Sequence, residues 1–273
     1  MSKGTIASIT ALEILDSRAH TTLQAQVVLE DGSCGAASVP AGASVGVHEA
    51  VALSAQDAID NVNKMIAPRL VGHDATDQQG IDVLLCELDG TANKAKLGAN
   101  ALLSVSLACA RAAAACSKVP LYKYLCSLYN LSPITHNLPQ PMFNILNGGV
   151  HGGFTLDIQE FMVVPQTPHV ADAILMGQKI REALKKVLEQ QGITPGVGDE
   201  GGFTIQGINP SSTSPYDKGR KGGVKNEDGL KFLMAAIEDA GYTAGRDVML
   251  ALDVAASEFY NPATGRYALK CEN

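Results

Sequence analysis

Val248-Met249-Leu250-Ala251-Leu252-Asp253-Val254 is an apolar run interrupted by one acid. Its length and composition predict a buried β-strand. A lone carboxylate buried at its end costs several kcal/mol unless it is paired or bound to a metal. In a β/α barrel, acids at strand C-termini point into the active-site mouth. Asp253 can equally cap a following helix through Ala255-Ala256-Ser257-Glu258. The run itself leaves both readings open.

Outward from this strand, short apolar runs alternate with helical periodicity. Met142–Leu146 and Ile158–Val164 read as buried strands, and Val197 ends another short one. Ala171 to Gln190 reads as an amphipathic helix with Ile174, Met176, Ile180, Leu184 and Val187 as its stripe. Leu230 to Ala240 reads as a further helix, and 207–225, rich in Pro, Ser, Gly and Lys, as an exposed flexible insertion. This alternation predicts parallel strands with helical crossovers. A β/α barrel usually takes about 250 residues. Only about half that number follow the boundary at Pro133, Pro139 and Pro141. The expected architecture is therefore a partial, incomplete β/α barrel over 133–273.

Residues 1–132 read differently. Runs at 5–12, 22–30 and 34–39, with Asp31-Gly32 between the last two, predict a β-meander. Helical periodicity follows: Ile59, Val62, Ile66 and Leu70 share one face, and Ile81, Leu84, Leu85 and Leu88 repeat the pattern. Leu97 to Cys116 is a long Ala-rich helix, and Pro120 opens another. The fold class is an α+β N-terminal domain followed by the partial barrel.

The chain has 273 residues with 21 Lys and Arg against 28 Asp and Glu, a formal charge of −7. That balance argues against a nucleic-acid partner, because phosphate repulsion is not offset. The N-terminus Met1-Ser2-Lys3-Gly4-Thr5-Ile6 lacks the apolar core of a secretory signal, so a cytoplasmic location is expected. No run is expected to cross a membrane; the nearest, Ala101 to Cys116, is rich in small residues and carries Arg111. None of the six cysteines forms a C-x-x-C pair, and they read as buried free thiols.

Three further stretches carry candidate chemistry. Gly198-Asp199-Glu200-Gly201-Gly202 lets a ligand or backbone come close. On an extended segment only one of its two acids can face a given site. A Glu held there with a raised pKa can act as a general acid, and a solvated acidic turn is the alternative. Asn147-Gly148-Gly149-Val150-His151, with Gln159-Glu160 nearby, can orient a polar substrate or be an ordinary turn. The Gly-rich loop at 40–46 can close over a ligand through Ser44 or be a plain flexible connector, which its composition favours, and it lacks the Lys of a phosphate-binding loop.

Together these segments resemble enolase, the phosphopyruvate hydratase family. The matching stretches include Glu13-Ile14-Leu15-Asp16-Ser17-Arg18, Val39-Pro40-Ala41-Gly42-Ala43-Ser44, Glu87-Leu88-Asp89-Gly90-Thr91 and Lys96-Leu97-Gly98-Ala99-Asn100. They continue with Asn147-Gly148-Gly149, Gln159-Glu160-Phe161-Met162, Gly198 to Phe203 and Leu252 to Tyr260, in family order. The resemblance implies a lid domain over 1–132 and the first part of an enolase-like barrel over 133–273. It implies Mg²⁺-dependent reversible dehydration of 2-phosphoglycerate to phosphoenolpyruvate in glycolysis, with a homodimer as a possible assembly. It casts Glu200 as the acid that helps the hydroxyl leave and Glu160 as its partner carboxylate. Gln159 and His151 become substrate contacts, and Asp253 and Ser44 ligands of Mg²⁺.

The sequence departs from the family in places. No motif matches the family's base lysine or its two further metal carboxylates. Ala19-His20-Thr21 stands where the family has Gly-Asn-Pro, and Ala41 and Val45 replace lid hydroxyls. A shortened, catalytically inactive binding or scaffold protein, or a gene fragment, is the alternative that these departures imply.

Overall fold

The computed structural model describes residues 4–40, 42, 45–131, 138–208 and 224–272. The chain divides into two compact units, Met1–Thr135 and His136–Asn273. The expected boundary at 132/133 lies outside the described residues.

The first unit opens with an antiparallel meander of β1 (Ile6–Leu15), β2 (Thr21–Leu29) and β3 (Cys34–Val39). On β2, Leu23, Ala25, Val27 and Leu29 are buried at every second position, as a strand with one packed face requires. At the β1–β2 turn, the Asp16 carboxylate accepts from the amides of Arg18 and His20. Ala19, where the resemblance has glycine, takes a left-handed φ of 61°.

Helices follow. Ser54 caps α1 (Ala55–Asn61), and a π-helical turn over Val62–Ile66 leads into α2 (Ala67–Leu70). Pro68 has no N–H to return to the preceding turn, which accounts for the wider turn before it. α3 (Gln78–Asp89) is capped by Asp77 and ends at Gly90 in the left-handed region. α4 (Ala99–Cys116) buries Ala101, Val105, Ala108 and Ala112 against the sheet, and α5 (Leu121–Leu128) follows Pro120. α4 is long and apolar enough to cross a membrane by length and composition, unlike the expectation, and 61% of it is buried within the protein. The reading of a helix packed through small residues holds.

The second unit holds β4 (Phe143–Asn147), β5 (Glu160–Pro165), α6 (Val170–Gln190), β6 (Ile193–Val197), β7 (Phe203–Ile208), α7 (Asn226–Asp239) and β8 (Val248–Asp253). The five strands form one open sheet in the order β6-β7-β4-β5-β8. A two-stranded hairpin, β9 (Tyr260–Asn261) with β10 (Arg266–Tyr267), comes after it. α6 and α7 pack against one another and on β5, around Phe161, Ile180, Leu184, Leu233 and Ile237.

Four expectations change here. The sheet is mixed rather than parallel: β4/β5, β5/β8 and β6/β7 are antiparallel, and only β4/β7 is parallel, meeting at Leu146 and Phe203. The connections β4–β5 and β6–β7 contain no helix, so they return the chain antiparallel without a crossover. The stripe of α6 omits Ile174, which is half exposed; Ala173 and Gly177 take the buried positions beside Ile180, Leu184 and Val187. α7 begins at Asn226 rather than Leu230, because the Asp228 carboxylate accepts from the Lys225 amide at the first turn. All six cysteines are free, but Cys34 and Cys86 are exposed and only Cys109 is fully buried, which pushes its thiol up to about 12. Of the expected insertion at 207–225, residues 209–223 lie outside the described residues.

Candidate functional site

Strand direction sets the site. The C-terminal ends of β4, β6 and β8 meet the N-terminal ends of β5 and β7 at one end of the sheet. Register places Asn147 opposite Glu160, and Glu160 opposite Asp253. Val197 pairs with Phe203, so residues 198–202 form the turn that closes the β6–β7 hairpin beside them.

That turn presents Glu200. Of the two readings, extended segment or turn, the structure has a tight turn, closed by Gly198 N–H to Gly202 O at 2.9 Å and Gly201 N–H to Gly198 O at 2.9 Å. Arg181 on α6 holds it from outside: its guanidinium lies 4.3 Å from the centre of the Phe203 ring and donates to Gly201 O at 3.4 Å. A Cβ at position 202 would sit 2.3 Å from Asn147 Oδ1, so any larger residue there would displace the buried Asn147 amide.

Both oxygens of Glu200 are engaged. His151 Nε2 lies 3.3 Å from Oε1, and Asn144 Nδ2 donates to Oε2 at 3.3 Å. The His151 side chain is 1% exposed, whereas that of Glu200 is 39% exposed. His151 is therefore fixed, and Glu200 sits at the mouth. Asp199 instead lines an open cleft of about 510 Å³, together with His151, Thr204 and Gln206.

The carboxyl that the structure pushes up is that of Glu160, to about 8. Burial is the largest cause, followed by the hydrogen bond shared with Glu200 and the charges of Glu200 and Asp253. Close carboxylates cannot all ionise cheaply, so this cluster retains a proton near neutrality. Such a pair can deliver a proton to a departing oxygen.

Asp253 departs from its expected burial. It is exposed, and Oδ1 accepts from the Ala255 amide at 3.2 Å, closing a local turn in which Ala255 has φ 48°. The helix-cap reading of Asp253 thus gives way to a turn bond two residues on. Its hard oxygen donors suit a divalent cation such as Mg²⁺. Among the described residues no three His, Cys, Asp or Glu side chains form a metal cluster. A cation held here would complete its shell with water and substrate oxygens, as Mg²⁺ commonly does. Ser44, the other expected ligand, lies outside the described residues.

Gln159 is 4% exposed, just before β5, and its carbonyl accepts from the Gly148 amide at 2.9 Å. Its backbone therefore also ties the two arms of the 148–159 loop. Sequence reasoning missed Asn144 and Arg181. The signal for Asn144 was a polar residue within the apolar run Phe143 to Leu146. Asn147, read as a turn residue, is fully buried, and its Oδ1 and that of Asn144 have no hydrogen-bond partner among the described residues. Buried polar atoms left in this state at a carboxylate cluster mark a place for further hydrogen-bond donors.

Comparison with protein families finds two matches. Residues 6–125 match the enolase N-terminal domain, and residues 135–273 match the enolase C-terminal TIM barrel domain.

Proposed function

The chain belongs to the enolase family, and from that premise we propose that its second unit carries the acid half of the reversible dehydration of 2-phosphoglycerate to phosphoenolpyruvate. The observation that supports this is the Glu160–Glu200 pair, with the Glu160 carboxyl pushed up and Glu200 gripped by His151 and Asn144.

In this reading the two carboxyls share a proton that Glu200 presents to the substrate hydroxyl. Hydroxide is a poor leaving group, so protonation in the transition state lowers the barrier. His151 and Asn144 hold Glu200 in one orientation, which keeps the proton aimed. Gln159 orients the substrate. Mg²⁺ bound through Asp253 would supply charge stabilisation to the substrate carboxylate as the neighbouring proton leaves. No motif in the sequence supplies the base for that proton, so the expected behaviour is binding without turnover.

Calorimetry of the purified chain with 2-phosphoglycerate and Mg²⁺ tests the reading. Saturable binding is expected, weakened roughly tenfold in Glu200→Gln and in His151→Ala, the loss of about one hydrogen-bonded contact. Phosphoenolpyruvate absorbance is not expected to rise. Absence of binding would sink the proposal, and turnover abolished by Glu200→Gln would show that a base is present after all.

A further inference from the structure

The 148–159 loop that carries His151 ends on a buried polar knot. Asp157 is 5% exposed, an unusual place for a carboxylate unless its lone pairs are filled. They are filled by three donors: Lys270 N–H at 2.8 Å, Cys271 N–H at 3.0 Å and Asn226 Nδ2 at 2.9 Å. Asn226, the first residue of α7, accepts in turn from the amides of Asp157 at 2.9 Å and Ile158 at 3.2 Å. Glu272 completes the knot, with Oε1 accepting from Asn226 N–H at 3.0 Å and Nδ2 at 3.1 Å. Lys225 Nζ donates to the Glu272 carbonyl at 3.2 Å.

The same segment presses on the bend of the loop. Phe154 has φ 58°, a conformation that a bulky side chain adopts only when its surroundings enforce it. Lys270 Nζ lies 5.7 Å from the Phe154 ring, and Cys271 Sγ lies 3.5 Å from the Thr155 carbonyl. Backbone bonds carry the restraint onward. Leu156 O accepts from Gly149 N–H at 2.8 Å, Gln159 O from Gly148 N–H at 2.9 Å, and Gly149 O from Phe154 N–H at 2.7 Å. His151 sits between these ties.

We propose that Asp157, Asn226 and Glu272 are positioning residues for His151: the turn at 270–272 clamps the loop so that His151 Nε2 stays on Glu200. The consequence for substrate rests on the function proposed above, but the coupling itself does not. None of the three touches Glu200 or Glu160 in the hydrogen-bond network, so each acts through the loop.

The test is nuclear magnetic resonance of the His151 imidazole together with amide hydrogen exchange on the full chain. In Asp157→Ala the His151 ring signals should shift and broaden. Exchange over 148–158 should quicken about tenfold, while α4 stays at its parent rate. Unchanged ring signals and unchanged loop exchange in the folded variant would overturn the proposal. Should Asp157→Ala not fold, Glu272→Ala decides, since its side chain and that of its ion-pair partner Lys225 are both 34% exposed, so the ammonium left behind reaches water. A shift in the same direction, with roughly threefold faster exchange, supports the coupling, and no shift refutes it. Glu272→Gln keeps an acceptor and should restore the parent signals; failure to do so counts against the hydrogen-bonded clamp. A parent chain that binds no 2-phosphoglycerate would refute the proposed function and leave these ring signals still reporting on the clamp.

Discussion

Glu160 keeps its proton at a pH where an ordinary carboxyl has lost it, and this has a thermodynamic signature. Its pKa rises from 4.5 to about 8 in the folded chain, through burial first and the neighbouring Glu200 and Asp253 second. Between those values the native state binds a proton that the unfolded chain releases. The stability from holding it is fully present below 4.5 and is lost as pH rises through about 8. Glu160→Gln is neutral throughout and escapes this loss. Its urea midpoint should match the parent near the lower value and exceed it near the upper one. A difference independent of pH would place the proton elsewhere. The family resemblance carried by Gln159-Glu160 and by the glycines flanking Glu200 cast the two glutamates as partners. It did not show which carboxyl is raised, because that depends on desolvation and on neighbours from the 198–202 turn and from β8, neither adjacent in sequence.

In the first unit α4 lies close against β3. A Cβ at Gly35 would lie 2.3 Å from Ala112 N and 2.4 Å from Ala108 O, both backbone atoms of α4 that cannot step aside. Gly35→Ala should therefore cost about 3 kcal/mol, a typical penalty for overpacking where the backbone must shift. A thermal scan of the variant against the parent reads this, and an unchanged midpoint would show that α4 can lift off the sheet. The Ala-rich character of α4 was plain in the sequence, as was the meander, since alternating burial on β2 leaves a period-two trace. The second unit was less legible. Apolar runs separated by a helical pattern look alike whether the chain crosses over or turns back. The β4–β5 and β6–β7 connections turn back, and the polar content of 148–159 and 198–202 alone did not reveal it. The stripe of α6 was misread at its start for a similar reason: Ala173 and Gly177 pack by being small, which a search for large apolar side chains passes over.

At the scale of the whole molecule, each unit holds a buried aspartate that gathers several donors. In the first, Asp89 is 1% exposed and accepts from the amides of Thr91, Lys96 and Leu97 and from the Thr91 hydroxyl. In the second, Asp157 accepts from Asn226, Lys270 and Cys271. Burial raises both carboxyls, but the hydrogen bonds outweigh it and hold each below the ordinary value of 3.8. The linkage runs opposite to that of Glu160. The stability these groups contribute is complete above 3.8 and is lost as pH falls through the depressed folded values. Acid should thus loosen both units by the same mechanism at separate places. Asp89→Asn, which leaves one amide facing a donor-rich pocket, should cost the first unit about 2 kcal/mol at neutral pH. It should also flatten the acid limb of that unit's stability. Hydrogen exchange resolved by segment, between neutral pH and the acid limb, checks this. Protection in α3 and α4 should fall in the variant while α6 and α7 keep the parent's acid response. Equal losses in both units would show that they unfold as one body and that neither aspartate acts locally.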